Sequence, residues 1–133
     1  MDGGEPMAQT ERAELGELHI ANEVVAIIAG LAATEVQGVA GMSGGIAGGI
    51  AEVLGRKNLS KGVKVAVGNE EAAVDLFLII EYGARIPEVA AQVQENVKRA
   101  IESMTGLRVV EVSIHVQGVH FPEERPEESP RVR

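Results

Sequence analysis

Hydrophobic residues recur at every second position in some stretches of this chain and at every third or fourth position in others. Alternation is typical of a strand with one buried face, and the longer spacing is typical of a helix with one buried side. Alternating stretches predict five strands, at 18–20, 38–42, 63–67, 74–82 and 107–117. Helical spacing predicts two helices, from Asn22 to about Val36 and from Ile86 to Met104.

Both predicted helices are apolar on one side only. The first places these residues toward a core: Val24, Ile27, Ile28, Leu31 and Ala32. Gly38 follows it where a C-cap glycine belongs. The second helix has Pro87 in its first turn and Gly106 after its end. Its apolar stripe comprises Ile86, Val89, Ala90, Val93, Val97, Ile101 and Met104.

The patterns of two strands predict which residues lie on each face of the sheet. The last strand is expected to bury Val110, Val112, Ile114 and Val116, and to turn Glu111, Ser113, His115 and Gln117 to a polar face. On the strand 74–82, Leu76, Leu78 and Ile80 are expected to face the helices. Phe77 and Ile79 then lie on the polar face, which suggests a surface for a partner or for self-association. The alternative is a strand covered on both faces.

The order of the elements predicts the fold class. The short turn at 68–71 favours an antiparallel hairpin between its flanking strands. The unit from Val74 to Gln117 is a strand, a helix and a strand, which predicts a right-handed crossover between parallel strands. The order β-α-β-β-β-α-β therefore predicts a two-layer α+β sandwich, with a mixed sheet of four to five strands and both helices on one face.

Composition predicts one domain with two extensions. The 133 residues carry a formal charge of −8 and no cysteine. Residues 1–15 are expected to be a disordered arm, and the Pro- and Glu-rich residues 122–133 a disordered tail. The domain at 16–121 includes a Gly-rich loop at 41–62. No apolar run is long enough to span a bilayer and the start lacks a secretory signal, so we expect a cytoplasmic location.

Motifs for catalysis and for cofactors are missing from the sequence. The three histidines lack metal-ligand spacing, and no Gly-x-Ser-x-Gly elbow, dinucleotide-binding or P-loop motif occurs. We therefore expect no catalytic residue, no cofactor and no metal. Gly41–Gly44 matches the GXXG of RNA-binding KH domains, but no basic residue lies nearby, and an acidic chain with three aromatic residues argues against nucleic-acid binding.

Two segments remain as candidates for binding. The Gly-rich segment is equally consistent with a flexible excursion and with a docking segment. A basic run follows it, at Arg56, Lys57, Lys61 and Lys64. This run suits an acidic protein surface, a phosphate-bearing ligand or an anionic headgroup, and a solvated loop is the simplest interpretation. The predicted second surface comprises Phe77, Ile79 and His115.

Five stretches of the chain, taken in order, resemble the alkaline-shock and Gls-type general-stress proteins of Gram-positive bacteria. They are 18–32, 35–45, 61–65, 74–76 and 81–90, with 94–98 and 109–119 similar as well. Ala21 departs from the helix-capping serine common in the family, a role that Asn22 can take. The stretch 56–65 looks most like the branch associated with fatty-acid synthesis and acetyl-CoA carboxylase genes.

The resemblance implies a non-enzymatic module of cell-envelope homeostasis and stress response. It also implies protein partners: an integral membrane protein that holds the chain near the membrane, or acetyl-CoA carboxylase subunits. A second copy of the chain is a further candidate partner, and no transmembrane insertion is expected. The alternatives are a regulator that binds a small ligand through the Gly-rich loop and the basic run and, less favoured, an RNA-binding module.

Overall fold

The computed structural model describes residues 15–44 and 60–122, and contains two helices and four strands within them. In chain order they are α1 (Asn22–Thr34), β1 (Val39–Met42), β2 (Val63–Val67), β3 (Glu71–Glu81), α2 (Ile86–Thr105) and β4 (Arg108–His120). Most of the predicted arm and of the predicted tail, and residues 45–59 of the predicted Gly-rich loop, lie outside the described residues.

β3 is the centre of the sheet. β4 runs parallel to it along one side, over the whole length of β3. Both β2 and β1 pair antiparallel with its other side, β2 beside the first half of β3 and β1 beside the second half. The predicted hairpin and the predicted parallel pairing are therefore confirmed, and so is a mixed sheet.

The core lies between one face of this sheet and the two helices. Leu76, Leu78 and Ile80 of β3 are fully buried, as predicted, and α2 contributes Val93, Val97 and Ile101. The two-layer α+β class is confirmed. At the ends of α2 the predicted stripe is wrong, because Ile86 and Met104 are exposed. Thr105 is buried next to Met104, and its hydroxyl donates to the Ile101 carbonyl and accepts the Leu107 N–H.

The predicted first strand, 18–20, does not form. These residues have no strand pairing, and Leu18 is exposed. A three-residue strand makes few ladder hydrogen bonds and gains little stability from joining a sheet. Ile20 instead packs its side chain against the edge of the core.

The buried side of α1 agrees with the prediction at Ala32, which is buried, and at Ile28, which packs against the core. Elsewhere it differs: Val25, Ala26, Ala29 and Ala33 form most of the buried side, whereas Leu31 is 46% exposed. Val24 is exposed to a similar degree, and Ile27 and Ile28 are partly buried. Small side chains let α1 approach its neighbours closely. Its contact with α2 includes a hydrogen bond from Asn96 Nδ2 to the Ala32 carbonyl, 2.8 Å long.

Two irregularities change which residues of β4 face the core. Ala72 pairs with Val109 and Ala73 with Glu111, so Val110 has no partner on β3. Val109 is buried and Val110 is 54% exposed, which corrects the prediction for Val110. Val112, Ile114 and Val116 do pack against the core as predicted. A second shift beyond Leu78 leaves Gln117 unpaired.

Gly38 has a different role from the one predicted. The C-cap of α1 is Glu35, so Gly38 lies three residues beyond it. Its φ is +106°, and a Cβ there would lie 2.6 Å from Val89 Cγ2 of α2. Gly38 therefore permits a close approach between this turn and α2. Gly106 does cap α2 as predicted, with φ +79°.

Candidate functional site

The sheet has one face turned away from both helices, which we call the open face. Its central row comprises Asp75, Phe77 and Ile79 of β3, which alternate with the core residues of that strand. β4 adds Ser113, His115 and Gly118 on one side, and β2 and β1 add Lys64 and Gly41 on the other. The predicted second surface, Phe77, Ile79 and His115, therefore lies together on this face.

Phe77 and His115 are the centre of the open face. They are partners in the parallel pairing of β3 and β4, and their rings stack with centroids 4.4 Å apart and planes 12° from parallel. His115 Nε2 lies 3.0 Å from Asp75 Oδ1, within hydrogen-bonding distance. The imidazole is thus held by a ring on one side and a carboxylate at one nitrogen, so its orientation is fixed.

Lys64 joins the same cluster from β2. It lies opposite Asp75 in the antiparallel register, and its Nζ is 5.6 Å from the centroid of the Phe77 ring. An ammonium at this distance over an aromatic face is attracted by the ring quadrupole, by about 0.5–1 kcal/mol at an exposed site. We call Lys64, Asp75, Phe77 and His115 the Phe77 cluster.

Ile79 is flanked by two glycines. Gly118 is its partner on β4, and a Cβ there would lie 3.1 Å from Ile79 Cδ1, so the isoleucine leans over that glycine. Gly41 is its partner on β1, and a Cβ there would meet no atom of the described residues within 4 Å. Among these residues, the sheet surface beside Ile79 on the β1 side is therefore backbone without a side chain over it, which we call the Gly41 notch.

Beside Phe77, as beside Ile79, the surface of the open face is formed by backbone atoms. The Phe77 N–H donates to the Gly62 carbonyl over 2.8 Å, and the Phe77 carbonyl accepts the Ser43 N–H over 2.7 Å. Gly62 has φ +80°, and a Cβ there would lie 2.7 Å from the Ser43 carbonyl oxygen. Only glycine fits at position 62. On the β2 side of Phe77, therefore, no side chain projects from the backbone at this position.

The charges of the open face are arranged unevenly. Three acidic residues of β3 contact a side chain of β4: Glu71 forms an ion pair with Arg108, Asp75 contacts His115, and Glu81 lies 3.0 Å from His120. The two imidazoles carry charge only when protonated. Within residues 15–44 and 60–122, neither Lys61 nor Lys64 forms an ion pair. On the β2 side of the open face, Lys64 thus carries a positive charge without an ion pair among these residues.

The predicted basic surface is only partly described. Arg56 and Lys57 lie outside the described residues, and Lys61 is exposed just before β2. Lys64, which the sequence grouped with them, joins the Phe77 cluster instead.

Two glycines of the open face, Gly41 and Gly118, were not predicted from the sequence as parts of this surface. Alternation along β3 predicts that Asp75 shares a face with Phe77, and the structure confirms this. The positions of the two glycines depend on the register of β1 and on the shift in β4, which no local pattern reveals.

Glu102 is an ionised group with a structural role. Its carboxylate accepts a hydrogen bond from Lys98 Nζ and another from the Val109 N–H, each 2.9 Å long. The hydrogen bond from Lys98, and then that from the Val109 N–H, hold the pKa of Glu102 below its ordinary value. The contact ties α2 to the start of β4.

Other surfaces of the described residues offer little organised chemistry. A shallow groove between the end of α1 and α2 contains two cavities of about 420 Å³ each, which share Gln37 and Gln92. Its charges are largely paired, as in Arg85 with Glu88 and Arg99 with Glu95. Among the residues described, no three metal-binding side chains come together. The two helices described are both too short or too polar to cross a membrane.

Comparison with known proteins identifies the family. The model of the alkaline-shock protein 23 family, described as having a cell envelope-related function, matches residues 10–121. The chain therefore belongs to this family. It is 43% identical over 111 residues to the protein YqhY of Bacillus subtilis (strain 168), covering 84% of this chain and 82% of YqhY. It is 41% identical over 110 residues to YloU of the same strain, covering 81% of this chain and 92% of YloU.

A third relative has a name that refers to stress. It is 31% identical over 110 residues to a Streptococcus pyogenes (serotype M3, strain ATCC BAA-595 / MGAS315) protein named stress response regulator gls24 homolog, covering 82% of this chain and 62% of that protein. The resemblance to alkaline-shock and Gls-type proteins is thus confirmed. The chain is a member of a family with a cell envelope-related function.

Proposed function

We propose that this chain is a non-enzymatic interaction module of cell-envelope homeostasis, and that the open face docks a protein partner. The observation that carries the proposal is the Phe77 cluster, an ordered aromatic and charged group at the centre of a sheet face that neither helix covers. The apolar strip of Phe77 and Ile79 is continuous with it. Aromatic side chains are enriched in the centres of protein interfaces, and polar and charged side chains surround them at the rim.

The geometry of the cluster favours binding over catalysis. His115 contacts a carboxylate, as a catalytic histidine often does, but the neighbouring hydroxyl of Ser113 donates to Glu111 Oε2 over 2.9 Å. That hydroxyl is therefore not placed on the imidazole, and a nucleophile needs such a base. The stack against Phe77 also occupies one ring face of His115. The arrangement suits a rigid contact surface that loses little conformational entropy on binding.

The proposed partners are those implied by the resemblance to alkaline-shock proteins. We propose an integral membrane protein or acetyl-CoA carboxylase subunits as occupants, with the chain on the cytoplasmic side of the membrane. The stretch 56–65, which looks most like the branch associated with fatty-acid synthesis genes, supports the second of these. Modulation of fatty-acid synthesis is the finer role that we propose.

Affinity capture with matched variants tests the proposal. The tagged full-length chain, Phe77→Ser and Ile79→Ser are used as baits in lysate with and without mild detergent, and co-purifying proteins are quantified. The control is Met104→Ser, which removes an apolar side chain that is 70% exposed in the helix layer. We expect both open-face variants to lose the partner and the control to keep it.

Two outcomes would contradict the proposal. Full capture by Phe77→Ser and Ile79→Ser would exclude the open face as the docking surface. Recovery of a bound small molecule without any protein would favour a ligand-binding regulator instead. Melting temperatures of all three variants show whether a loss of capture reflects unfolding.

A further inference from the structure

We infer that the partner of the open face is an amphipathic helix that places an aliphatic side chain in the Gly41 notch and a carboxylate on Lys64. The inference rests on the proposed function and specifies the chemistry of the partner. It combines three observations. The Gly41 notch lies beside Ile79, Gly62 leaves the backbone beside Phe77 without a side chain, and Lys64 has no ion pair in the described part of the chain.

The Gly41 notch is shaped for an apolar side chain. Ile79 leans toward Gly118 and away from Gly41, so one wall of the notch is aliphatic. Its floor is the backbone of β1, whose Gly41 is paired in register with Ile79. An aliphatic side chain placed there removes apolar surface of Ile79 and Phe77 from water, which is the main source of favourable free energy in docking.

Lys64 determines the charge of the partner. Glu71 forms an ion pair with Arg108, whereas Asp75 and Glu81 contact the imidazoles of His115 and His120, which carry charge only when protonated. The Lys64 ammonium lies over the Phe77 ring and forms no ion pair among the described residues. A carboxylate on the partner can therefore pair with Lys64, whereas a basic side chain at the same place is repelled.

A helix suits the open face better than an extended segment. β3 is paired on both sides, so its backbone offers no free hydrogen-bonding groups to an added chain. An extended segment laid over Phe77 and Ile79 would bury its own amide groups without partners, which is costly. A helix satisfies its amide groups internally and can present one apolar side.

The spacing of the two contacts predicts a sequence pattern in the partner. Lys64 lies opposite Asp75 and Gly41 opposite Ile79, so the contacts are four residues apart along β3, or about 13 Å. Along a helix this distance corresponds to about eight or nine residues. The side chain of Lys64 extends toward the Phe77 ring, so the distance from its Nζ to the Gly41 notch is shorter than the backbone spacing. The partner helix is therefore expected to carry an aliphatic residue and an acidic residue about seven or eight positions apart on one side.

Site-specific photo-cross-linking identifies the occupant. The full-length chain carries p-benzoyl-L-phenylalanine at Ala66, an exposed residue of β2 two positions beyond Lys64 on the open face. It is irradiated in lysate of cells that express the chain, and the cross-linked peptide is sequenced. A helical segment with the predicted pattern supports the inference. A peptide of this chain itself, a lipid, a segment without the pattern or no product overturns it.

Matched variants then test the contacts with a synthetic peptide of the cross-linked segment. Gly41→Val fills the notch, and it is tolerated by the fold because no atom lies within 4 Å of the new Cβ and the φ is an ordinary one. Lys64→Glu reverses the charge. We expect each to weaken peptide binding at least about tenfold, whereas Arg99→Glu, on the solvent side of α2, changes it less than about twofold. Unchanged binding by Gly41→Val overturns the inference.

The same variants separate this inference from the proposed function. If Phe77→Ser loses the captured partner while Gly41→Val and Lys64→Glu retain it, the open face docks a partner of different geometry, and only the helix fails. If Phe77→Ser also retains the partner, the proposed function fails as well. Replacing the acidic residue of the peptide by lysine is expected to restore binding to Lys64→Glu, which a general loss of folding cannot do.

Discussion

The imidazole of His115 stacks on the ring of Phe77, with the two centroids 4.4 Å apart, although a whole helix separates the two residues in the chain. Their contact depends on the parallel pairing of β3 with β4, which α2 connects. The fold thus assembles the centre of the open face from residues that lie on opposite sides of a helix in sequence. Anything that shifts β4 against β3 is expected to separate the stack.

Substitution of two glycines near β1 is expected to have opposite effects. Gly38→Ala adds a Cβ at φ +106° and 2.6 Å from Val89 Cγ2, so we expect a loss of about 2–4 kcal/mol in the free energy of unfolding. Gly41→Ala meets no atom and loses less chain entropy on folding, so it is expected to be neutral or stabilising. Urea denaturation of both variants measures the difference. Equal effects would contradict the close approach at Gly38.

The irregularity at Val110 predicts that two adjacent valines differ in importance. Val109→Ala removes two buried methyl groups and is expected to cost about 2 kcal/mol. Val110→Ala affects a side chain that is mainly in solvent, and a change within about 0.5 kcal/mol is expected. Thermal unfolding compares them directly. A larger loss for Val110→Ala would mean that β4 alternates regularly, as the sequence alone suggests.

The packing of α1 can be tested by substituting one residue on each side of the helix. Ala29→Leu forces a large side chain into a fully buried position and is expected to cost about 1–3 kcal/mol. Leu31→Gln changes a half-exposed position and is expected to cost less than about 1 kcal/mol. The measurement is the midpoint of chemical denaturation. The reverse order would place Leu31 in the core.

The hydrogen bonds of Glu102 predict a dependence of stability on pH. Its pKa in the folded chain is lowered, mainly by the hydrogen bond from Lys98 and then by that from the Val109 N–H. The ionised carboxylate therefore stabilises the fold above the ordinary glutamate pKa, and this contribution is lost as the pH falls through the lowered value. Because the site is partly exposed, Glu102→Gln is expected to cost about 1 kcal/mol at neutral pH.

The same comparison has an internal control. The stability difference between the unsubstituted chain and Glu102→Gln is expected to shrink as the pH is lowered from about 7 toward about 3. Glu95→Gln, on the solvent side of α2, is expected to show a much smaller difference throughout. A Glu102→Gln difference that stays constant with pH would mean that ionisation of Glu102 does not stabilise the fold.

Hydrophobic periodicity was sufficient to predict the buried face of an element wherever one strong pattern runs along it. The apolar side of α2 around Val93 and Val97, and the core face of β3 at Leu76, Leu78 and Ile80, follow directly from spacing. Spacing failed to predict the buried residues where side-chain size or the register between strands determines which residues are buried. On α1 the large aliphatic residues predict the wrong side, because close packing against α2 and the sheet selects alanines.

The candidate site was predictable only in outline. Alternation placed Phe77, Ile79 and His115 on one face, and the three residues do lie together there. The contact of Lys64 with Phe77 requires the register of β2, and the Gly41 notch requires that of β1. Neither register is encoded in local hydrophobicity. The strand predicted at 18–20 shows the opposite error, since a short alternating run does not form a strand by pattern alone.

Hydroxyl-radical footprinting of the full-length chain, alone and in complex with its captured partner, tests the open-face account most directly. The account predicts that oxidation of Phe77, Ile79 and His115 falls in the complex, while Met104 and Leu31, which are exposed in the helix layer, react as before. Protection of Met104 or Leu31 with no change at Phe77 and His115 would contradict it.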